Sequence, residues 1–93
     1  MYYVYILANA TNVAIYTGVT RELARRVAQH RAHADPASYT ARYDITKLVY
    51  FEATPSIQSA IAREKQIKSW SRRRKNALVN RRTPEWKDLY PDL

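Results

Sequence analysis

The chain has 93 residues, of which 46% are hydrophobic and none is cysteine, and it carries sixteen basic residues against eight acidic ones. This composition predicts one small domain over 1–93 and excludes disulfide staples and thiolate metal sites, as is usual in the reducing cytoplasm. The net charge of +8 favours a polyanionic partner, above all nucleic acid, over a surface that is merely basic.

No apolar run approaches the roughly 20 residues that a membrane-spanning helix needs. The N-terminal stretch YYVYIL is too short and too rich in tyrosine for a signal peptide, and no basic segment precedes it. No predicted helix combines a basic face with a bulky aromatic one. We therefore expect a cytoplasmic protein without a membrane partner.

The first part of the chain predicts an antiparallel hairpin followed by a helix. Tyr2–Leu7 is rich in tyrosine and β-branched residues and predicts a strand, Asn9–Asn12 a turn, and Val13–Thr17 a second strand. The short connection favours antiparallel pairing. Thr20 is then expected to cap a helix over Arg21–His33.

The middle of the chain predicts a loop, a third strand and a second helix. The Asp35-Pro36 pair ends the first helix, and Ala37–Asp44 has the composition of a loop. Ile45–Ala53 predicts the third strand. Thr54-Pro55 opens the second helix, with threonine as N-cap and proline at the first helical position, and this helix continues to about Trp70.

The last part of the chain predicts a very basic helix and an irregular tail. Ser71 is expected to cap this third helix, which ends near Asn80, and the tail over 81–93 packs on the domain. The predicted fold is therefore α/β (α+β), with the element order β-β-α-β-α-α over a core of 2–80.

The first helix carries two polar side chains near its apolar stripe. At about 100° per residue, Leu23 and Val27 form the stripe, His30 points along the same side, and Arg26 flanks it. His30 is either a hydrogen-bonded core histidine or part of a site. Arg26 is either a snorkelling edge residue or part of the same site.

The second helix carries a carboxylate in the middle of its predicted apolar stripe, which consists of Ile57, Ala60, Ile61 and Ile67. Glu64 is costly in that position unless it is paired or binds a metal. Lys68, one turn further on, offers a helical ion pair as one alternative. The other alternative is a carboxylate aimed into a site.

The only glycine of the chain, Gly18, follows Tyr16 near the end of the second predicted strand. Tyr5 lies on the first strand, on the same face as Tyr3 and Leu7. Glycine removes the Cβ where strand turns into helix, which would let backbone or a substrate phosphate approach closely. A tight turn without a role in a site is the alternative.

The ordered set of these residues resembles the GIY-YIG endonuclease superfamily, and looks most like its small stand-alone bacterial members. The two signature segments match Tyr3-Val4-Tyr5 and Tyr16-Thr17-Gly18, and the resemblance continues through Arg26, His30 and Glu64 to about Asn80. Tyr3 replaces the first glycine of the signature, and Val4 and Thr17 replace its two isoleucines. None of these departures removes a side chain that the family's chemistry uses.

The resemblance implies a three-stranded antiparallel sheet with the first strand in the middle, flanked by helices, and metal-dependent hydrolysis of phosphodiester bonds. In the family's scheme Glu64 holds one divalent cation, Mg²⁺ or Mn²⁺, and Arg26 clamps the scissile phosphate through its planar fork. Tyr5 is then the favoured general base, with Tyr16 and His30 supporting the attacking water. Because a free tyrosine has a pKa of about 10, the site would have to depress the pKa of Tyr5.

A second group of residues is expected to contact the nucleic-acid backbone without reading its sequence. These are Gly18, Arg25, Lys68, Arg72, Arg73, Arg74 and Lys75. Basic side chains at the start of a helix oppose its dipole and so do not stabilise the helix. This favours a role in binding over the alternative that these residues only form a solvated face. In the predicted loop, Tyr39, Arg42 and Tyr43 are compatible either with stacking on an unpaired base or with loop packing.

Two functions are compatible with these features. The favoured one is a metal-dependent endonuclease that cuts nucleic acid, DNA rather than RNA, in repair or recombination. The alternative is a non-catalytic nucleic-acid-binding module, associated with RNA or the ribosome, on the same fold. The intact set of catalytic candidates favours the endonuclease, and it leaves the structure of the substrate and the oligomeric state open.

Overall fold

A computed structural model of the chain describes all residues from 1 to 93. The strands are β1 (Tyr2–Ala8), β2 (Ile15–Thr20) and β3 (Lys47–Thr54), and the helices are α1 (Leu23–Arg31), α2 (Tyr39–Arg42), α3 (Ile57–Ser69) and α4 (Arg72–Arg82). The predicted order is present, with α2 as one additional short helix. None of the helices has both the length and the apolar composition that crossing a membrane requires.

The three strands form one antiparallel sheet in the order β2-β1-β3, so β1 lies in the middle and the predicted sheet is confirmed. In the register of β1 and β2, Tyr5 lies opposite Gly18, and Leu7 lies opposite Tyr16. Directly paired residues share a face of the sheet, and faces alternate along each strand. The two signature segments therefore meet on one face.

The sheet separates two cores, and the helices are divided between them. The α1 side contains Tyr5, Leu7, Leu23, Val27, Ile45 and Leu48. The opposite side contains Val4, Ile6, Ala8, Val49, Tyr50, Ala60, Ile67, Leu78 and Val79, and so includes α3 and α4. Because β1 is central and covered on both faces, its apolar run is buried continuously from Val4 to Ala8.

Two of the three predicted helix caps are wrong. The hydroxyl oxygen of Thr20 accepts from the Glu22 N–H at 3.1 Å, and α1 begins only after Glu22. Thr54 is the last residue of β3, and Ser56 caps α3 by accepting from the Ser59 N–H at 3.3 Å. In both cases the threonine precedes the N-cap residue by two positions and the first helical residue by three. Local hydroxyl-to-backbone bonds in turns use the same side chains that cap helices.

The segment predicted as a loop over 37–44 contains α2. Ser38 caps this helix by accepting from the Ala41 N–H at 3.2 Å, just as Ser71 caps α4 as predicted. The Thr40 carbonyl accepts from the Ile45 N–H at 2.8 Å, which ties α2 to the segment that leads into β3. A helix of four residues is too short to give a periodic signal, so the loop composition concealed it.

The tail after α4 packs on the sheet through Asp88. One carboxylate oxygen of Asp88 accepts from the Leu48 N–H at 3.1 Å, and the other accepts from the Arg31 guanidinium at 2.7 Å. The Leu89 N–H donates to the Leu48 carbonyl at 2.8 Å. The tail therefore joins the end of α1 to β3, and a 3₁₀ turn over Tyr90–Asp92 follows.

Candidate active site

The hairpin of β1 and β2 packs Tyr5 directly over Gly18. Tyr5 is 1% exposed. A Cβ at position 18 would lie 2.5 Å from the Tyr5 hydroxyl oxygen and 2.9 Å from Cε2 of Tyr16. Because Cβ atoms do not approach other heavy atoms so closely, only glycine leaves room for both rings on this face of the sheet.

This arrangement corrects the expectations for Gly18. The residue lies inside β2 rather than at a strand-to-helix corner, and its φ is not positive, so no turn requires it. Gly18 is itself buried, and the Tyr5 ring fills the space beside it. It therefore offers no surface to a substrate phosphate, and its role is to make room for Tyr5 and Tyr16.

We expect Gly18→Ala to displace the two tyrosines and to destabilise the protein. The added methyl group would overlap the Tyr5 hydroxyl, and overpacking of this kind costs about 1–3 kcal/mol. Thermal unfolding should show a lower Tm. Combining Gly18→Ala with Tyr5→Phe removes the overlapping oxygen and should restore part of the loss, whereas an unchanged Tm in Gly18→Ala would contradict the packing described.

His30 connects Tyr5 to the short helix α2. Its Nε2 lies 3.0 Å from the Tyr5 hydroxyl, and its Nδ1 lies 2.9 Å from the hydroxyl oxygen of Thr40. Thr40 is buried and also bonds the hydroxyl of Ser38 at 3.2 Å. Both ring nitrogens of His30 are therefore engaged, and in a neutral imidazole one of them donates and the other accepts.

Burial is the largest influence on the pKa values of Tyr5 and His30. Burial is the main cause that raises the pKa of Tyr5, the neighbouring Tyr16 raises it further, Arg26 opposes the increase, and Glu64 adds to it. Burial also lowers the pKa of His30, and the Arg26 charge lowers it further. In the protein by itself, Tyr5 is thus protonated and His30 is uncharged at neutral pH. In the protein by itself the pKa of Tyr5 is raised and not depressed, because burial outweighs the favourable charge of Arg26.

A cavity of about 310 Å³ opens beside these residues, and Tyr16, Arg26, His30 and Thr40 are among its walls. Tyr5 is not among them. A second cavity of about 270 Å³ is lined without any hydrophobic residue, and it shares Arg26 and Gln29 with the first. The two cavities therefore adjoin each other along α1, and Arg26 lines both.

Arg26 differs from the arginines beside it on α1. Arg25 pairs with Glu22 at 3.1 Å, and Arg31 pairs with Asp88 at 2.7 Å. Arg26 takes part in neither pair, is exposed, and lines both cavities. Its guanidinium is thus available to an anion that enters either cavity, and its charge already acts on His30 and Tyr5.

Glu64 lies in the buried stripe of α3, although the stripe is not the one predicted. Ala60 and Ile67 are buried, whereas Ile57 and Ile61 are 38% and 39% exposed. Glu64 lies one turn after Ala60 and one turn before Ile67, and its side chain is 16% exposed. Glu64 therefore does place a carboxylate on the buried side of α3. The buried side contains Ala60 and Ile67, and it excludes Ile57 and Ile61 of the predicted stripe.

A side chain of the edge strand β2 lies near residues of both α1 and α3. The two helices pack on opposite faces of the sheet, so His30 of α1 and Glu64 of α3 belong to helices on different sides of it. The Tyr16 ring of β2 lies 5.5 Å from the His30 ring and 5.9 Å from the Lys68 ammonium, between centres. Lys68 in turn pairs with Glu64 at 3.4 Å, so the helical ion pair considered above is present.

An ion pair between α3 and β3 holds α3 with Ala60 and Ile67 toward the sheet. The Arg63 Nε donates to both carboxylate oxygens of Glu52 at 3.1 Å, and the Tyr50 hydroxyl donates to one of them at 2.6 Å. Arg63 immediately precedes Glu64 in the helix. Fixing Arg63 to the sheet therefore also fixes the direction in which the Glu64 carboxylate leaves the helix.

The donor groups present fit only a cation that keeps much of its water. No cluster of three or more His, Cys, Asp or Glu side chains suited to a metal ion is present. Glu64 is a single, largely buried carboxylate that pairs with the Lys68 ammonium at 3.4 Å. Mg²⁺ is commonly held through one or two carboxylates, with waters and phosphate oxygens completing its shell, so this donor set fits Mg²⁺ rather than zinc.

The basic residues at the start of α4 are not equivalent. The Arg72 guanidinium donates to the carbonyls of Val13, at 2.6 Å, and Asn12. Arg72 therefore holds the β1–β2 connection, a role that its expected contact with nucleic acid did not include. The Arg74 guanidinium lies 4.3 Å from the centre of the Trp70 ring, and Arg73 is exposed.

Sequence reasoning missed Thr40, Ser38 and Gln29. Thr40 bonds His30 from a segment that was expected to be a loop, and a short helix gives little periodic signal. The N-capping serine at position 38 was a signal that could have indicated the helix. Gln29 lines both cavities. A glutamine on an exposed helix face is so common that the sequence gives no sign of a role in a site.

Comparison with known proteins identifies the family. Residues 1–77 match the GIY-YIG catalytic domain. A UPF0213 protein of Haloquadratum walsbyi is 37% identical over 82 residues, covering 88% of this chain and 90% of that protein, and one of Natronomonas pharaonis is 42% identical over 78 residues, covering 84% and 89%. The solution NMR structure of a UPF0213 protein from Bacillus halodurans, 35% identical, superposes with a TM-score of 0.59 over 95% of this chain and 93% of that one. The chain therefore belongs to the GIY-YIG family and has the fold of its small stand-alone members.

Proposed function

We propose that this member of the GIY-YIG family is a metal-dependent endonuclease that hydrolyses phosphodiester bonds, with DNA as its substrate in repair or recombination. The family itself implies a nuclease-like role on nucleic acid. The observation that carries the proposal is the convergence of Tyr16, His30 and Arg26 on one polar cavity, with Glu64 within electrostatic reach of the same cluster.

Arg26 is the group that binds the scissile phosphate in this proposal. Its exposed guanidinium lines both cavities and has no carboxylate partner on α1. A planar fork of N–H donors matches two phosphate oxygens at once and stabilises the additional negative charge of the transition state. Arg25, which lines the second cavity, is suited to a neighbouring phosphate along the strand.

Tyr16 and His30 orient the attacking water, and Tyr5 has a supporting role. Both of the former line the cavity, whereas Tyr5 is buried behind it with its hydroxyl bonded to His30. The lowered pKa of His30 keeps its ring uncharged, so the nitrogen that accepts a hydrogen bond from the Tyr5 or Thr40 hydroxyl can accept a proton in its place. Thr40 holds the other side of the ring. In this proposal His30, and not Tyr5, is the general base.

Glu64 is the residue that would hold the cation. A bound Mg²⁺ or Mn²⁺ supplies charge neutralisation at the phosphate and acidifies coordinated water. Burial to 16% exposure withdraws Glu64 from solvent, and the Lys68 ammonium is then its main compensation. Lys68 also lies against Tyr16, so it keeps positive charge at the same edge of the site.

A binding module without turnover is the competing function, and the ion pair of Glu64 with Lys68 is the observation that favours it. A cleavage assay with Mg²⁺ or Mn²⁺ on single-stranded, duplex, flap and four-way-junction DNA, with matched RNA substrates, separates the two. We expect cleavage of at least one DNA substrate that stops when EDTA is added. Tight binding of every substrate without any cleavage would support the binding module.

We expect the affinity for duplex DNA to fall steeply with salt, because a chain of net charge +8 displaces condensed counterions. If about five phosphates are neutralised, the logarithm of the binding constant should fall with the logarithm of salt concentration at a slope near −4 to −5. Fluorescence anisotropy titrations at several salt concentrations measure this slope. An affinity that is flat between low and physiological salt would contradict an electrostatic interface.

Two neighbouring arginines provide a matched comparison for this measurement. Arg73→Ala should reduce the magnitude of the slope by about 1, because an exposed side chain that meets one phosphate is lost. Arg72→Ala should instead lower the Tm, because it releases the carbonyls of Asn12 and Val13. Equal effects of the two variants on both quantities would contradict their separate assignments.

A further inference from the structure

Two exposed tyrosines on and beside α2 form a surface that the proposed reaction does not use. Tyr39 is 52% exposed and Tyr43 is 46% exposed. Their ring centres lie 4.9 Å apart, and the Arg42 guanidinium lies 5.6 Å from the centre of the Tyr43 ring. In these three residues, called the tyrosine platform below, Tyr43 lies against both Tyr39 and Arg42, and about half of the surface of each tyrosine residue is exposed. Packing between the two rings, whose planes are tilted by 51°, covers part of each tyrosine and leaves the remainder accessible to a ligand.

The tyrosine platform is fixed next to the catalytic candidates. Tyr39 lines the same cavity as Arg26 and His30. The next residue, Thr40, is buried and bonded to His30, and Ser38 caps the helix on the other side of Tyr39. The position of the platform relative to the site is therefore set by the hydrogen bonds that also orient the His30 ring.

We propose that the tyrosine platform stacks on an unpaired base of the nucleic acid whose backbone enters the Arg26 cavity. Aromatic faces and guanidinium groups stack on any base, without sequence preference. A base inside an intact duplex is already stacked on its neighbours and is not free to lie on a protein ring. The inference rests on the proposed function, and it specifies the substrate as nucleic acid with an unpaired nucleotide close to the scissile phosphate.

Binding measurements on Tyr39 variants test the platform without requiring cleavage. The probes are labelled oligo(dT), oligo(rU) and a mixed-sequence duplex of the same length, titrated without added metal. Tyr39→Ala should weaken binding to the single strands about tenfold, which is the effect of losing one stacked base. Duplex binding should change less than twofold, because the phosphate contacts remain. Tyr39→Phe should bind as the parent does, and Tyr39→Trp should bind the single strands more tightly.

The outcomes distinguish this inference from the proposed function. A selective loss with oligo(dT), oligo(rU) or both supports the platform even if the parent protein cuts nothing, and comparison of the two oligonucleotides distinguishes DNA from RNA. An equal loss on single strands and duplex, or no loss on either, would overturn it even if the parent protein cuts efficiently. Tyr43→Ala provides a second, exposed position, and far-ultraviolet circular dichroism checks that each variant is folded.

Discussion

Arg26→Lys is expected to lose about 10²–10³-fold in kcat, although it keeps the positive charge. Arg26 lines both cavities and is not engaged in either ion pair of α1. Lysine offers a point charge, whereas the guanidinium offers a fork that meets two phosphate oxygens together. The loss should appear in kcat rather than in binding, because most of the affinity comes from the wider basic surface. Single-turnover cleavage at saturating protein measures it.

Arg25 provides the matched control for this prediction. It is adjacent in the chain, equally charged, and paired with Glu22 on the exposed face of α1. Arg25→Lys should change kcat less than threefold and act mainly on binding. Near-normal turnover in Arg26→Lys, or an equal loss in both variants, would mean that Arg26 contributes only surface charge.

Glu64→Gln is expected to abolish cleavage at every Mg²⁺ concentration while binding survives. Glutamine keeps the size of the side chain and removes the charge that a cation requires. The Tm should remain the same or rise, because the ion pair with the half-exposed Lys68 contributes at most about 0.5 kcal/mol and the variant no longer holds a largely buried charge. Cleavage, anisotropy and thermal unfolding on the same preparation measure the three quantities.

Two further variants separate a metal ligand from half of an ion pair. Lys68→Ala breaks the same ion pair but leaves the carboxylate in place. If Glu64 serves only the pair, Lys68→Ala and Glu64→Gln should have the same effect on cleavage. Glu85→Gln, in the exposed tail, controls for the change in net charge. A Glu64→Gln protein that cuts as well as the parent would remove the metal site from the proposed function.

Most of the fold follows from the sequence because its elements are long and patterned. The Tyr-rich β1, the short hairpin connection and the periodic stripe of α1 each give a clear signal, and the three-stranded sheet is confirmed. The misplaced caps at Thr20 and Thr54 show where such reasoning fails. A hydroxyl that bonds the backbone two residues ahead, in a turn, has the same sequence pattern as one that caps a helix.

The candidate site was only partly visible in the sequence. Tyr5, Tyr16 and His30 lie together, and the hairpin register explains why the two tyrosines meet. The position of α3 across the sheet from α1 could not be inferred, because helix periodicity says which face is buried and not which side of a sheet it covers. The effect of burial on the pKa of Tyr5 depends on packing by residues distant in the chain.

A parallel cleavage measurement tests the central claim most directly. The parent protein, Arg26→Ala and Glu64→Gln are purified side by side and each is incubated, in excess, with the same labelled branched and duplex DNA in Mg²⁺. The proposed function predicts that the parent protein cuts, that EDTA stops it, and that both variants bind without cutting. Equal cutting by all three proteins, or binding without cutting by the parent, would contradict the assignment of this site to phosphodiester hydrolysis.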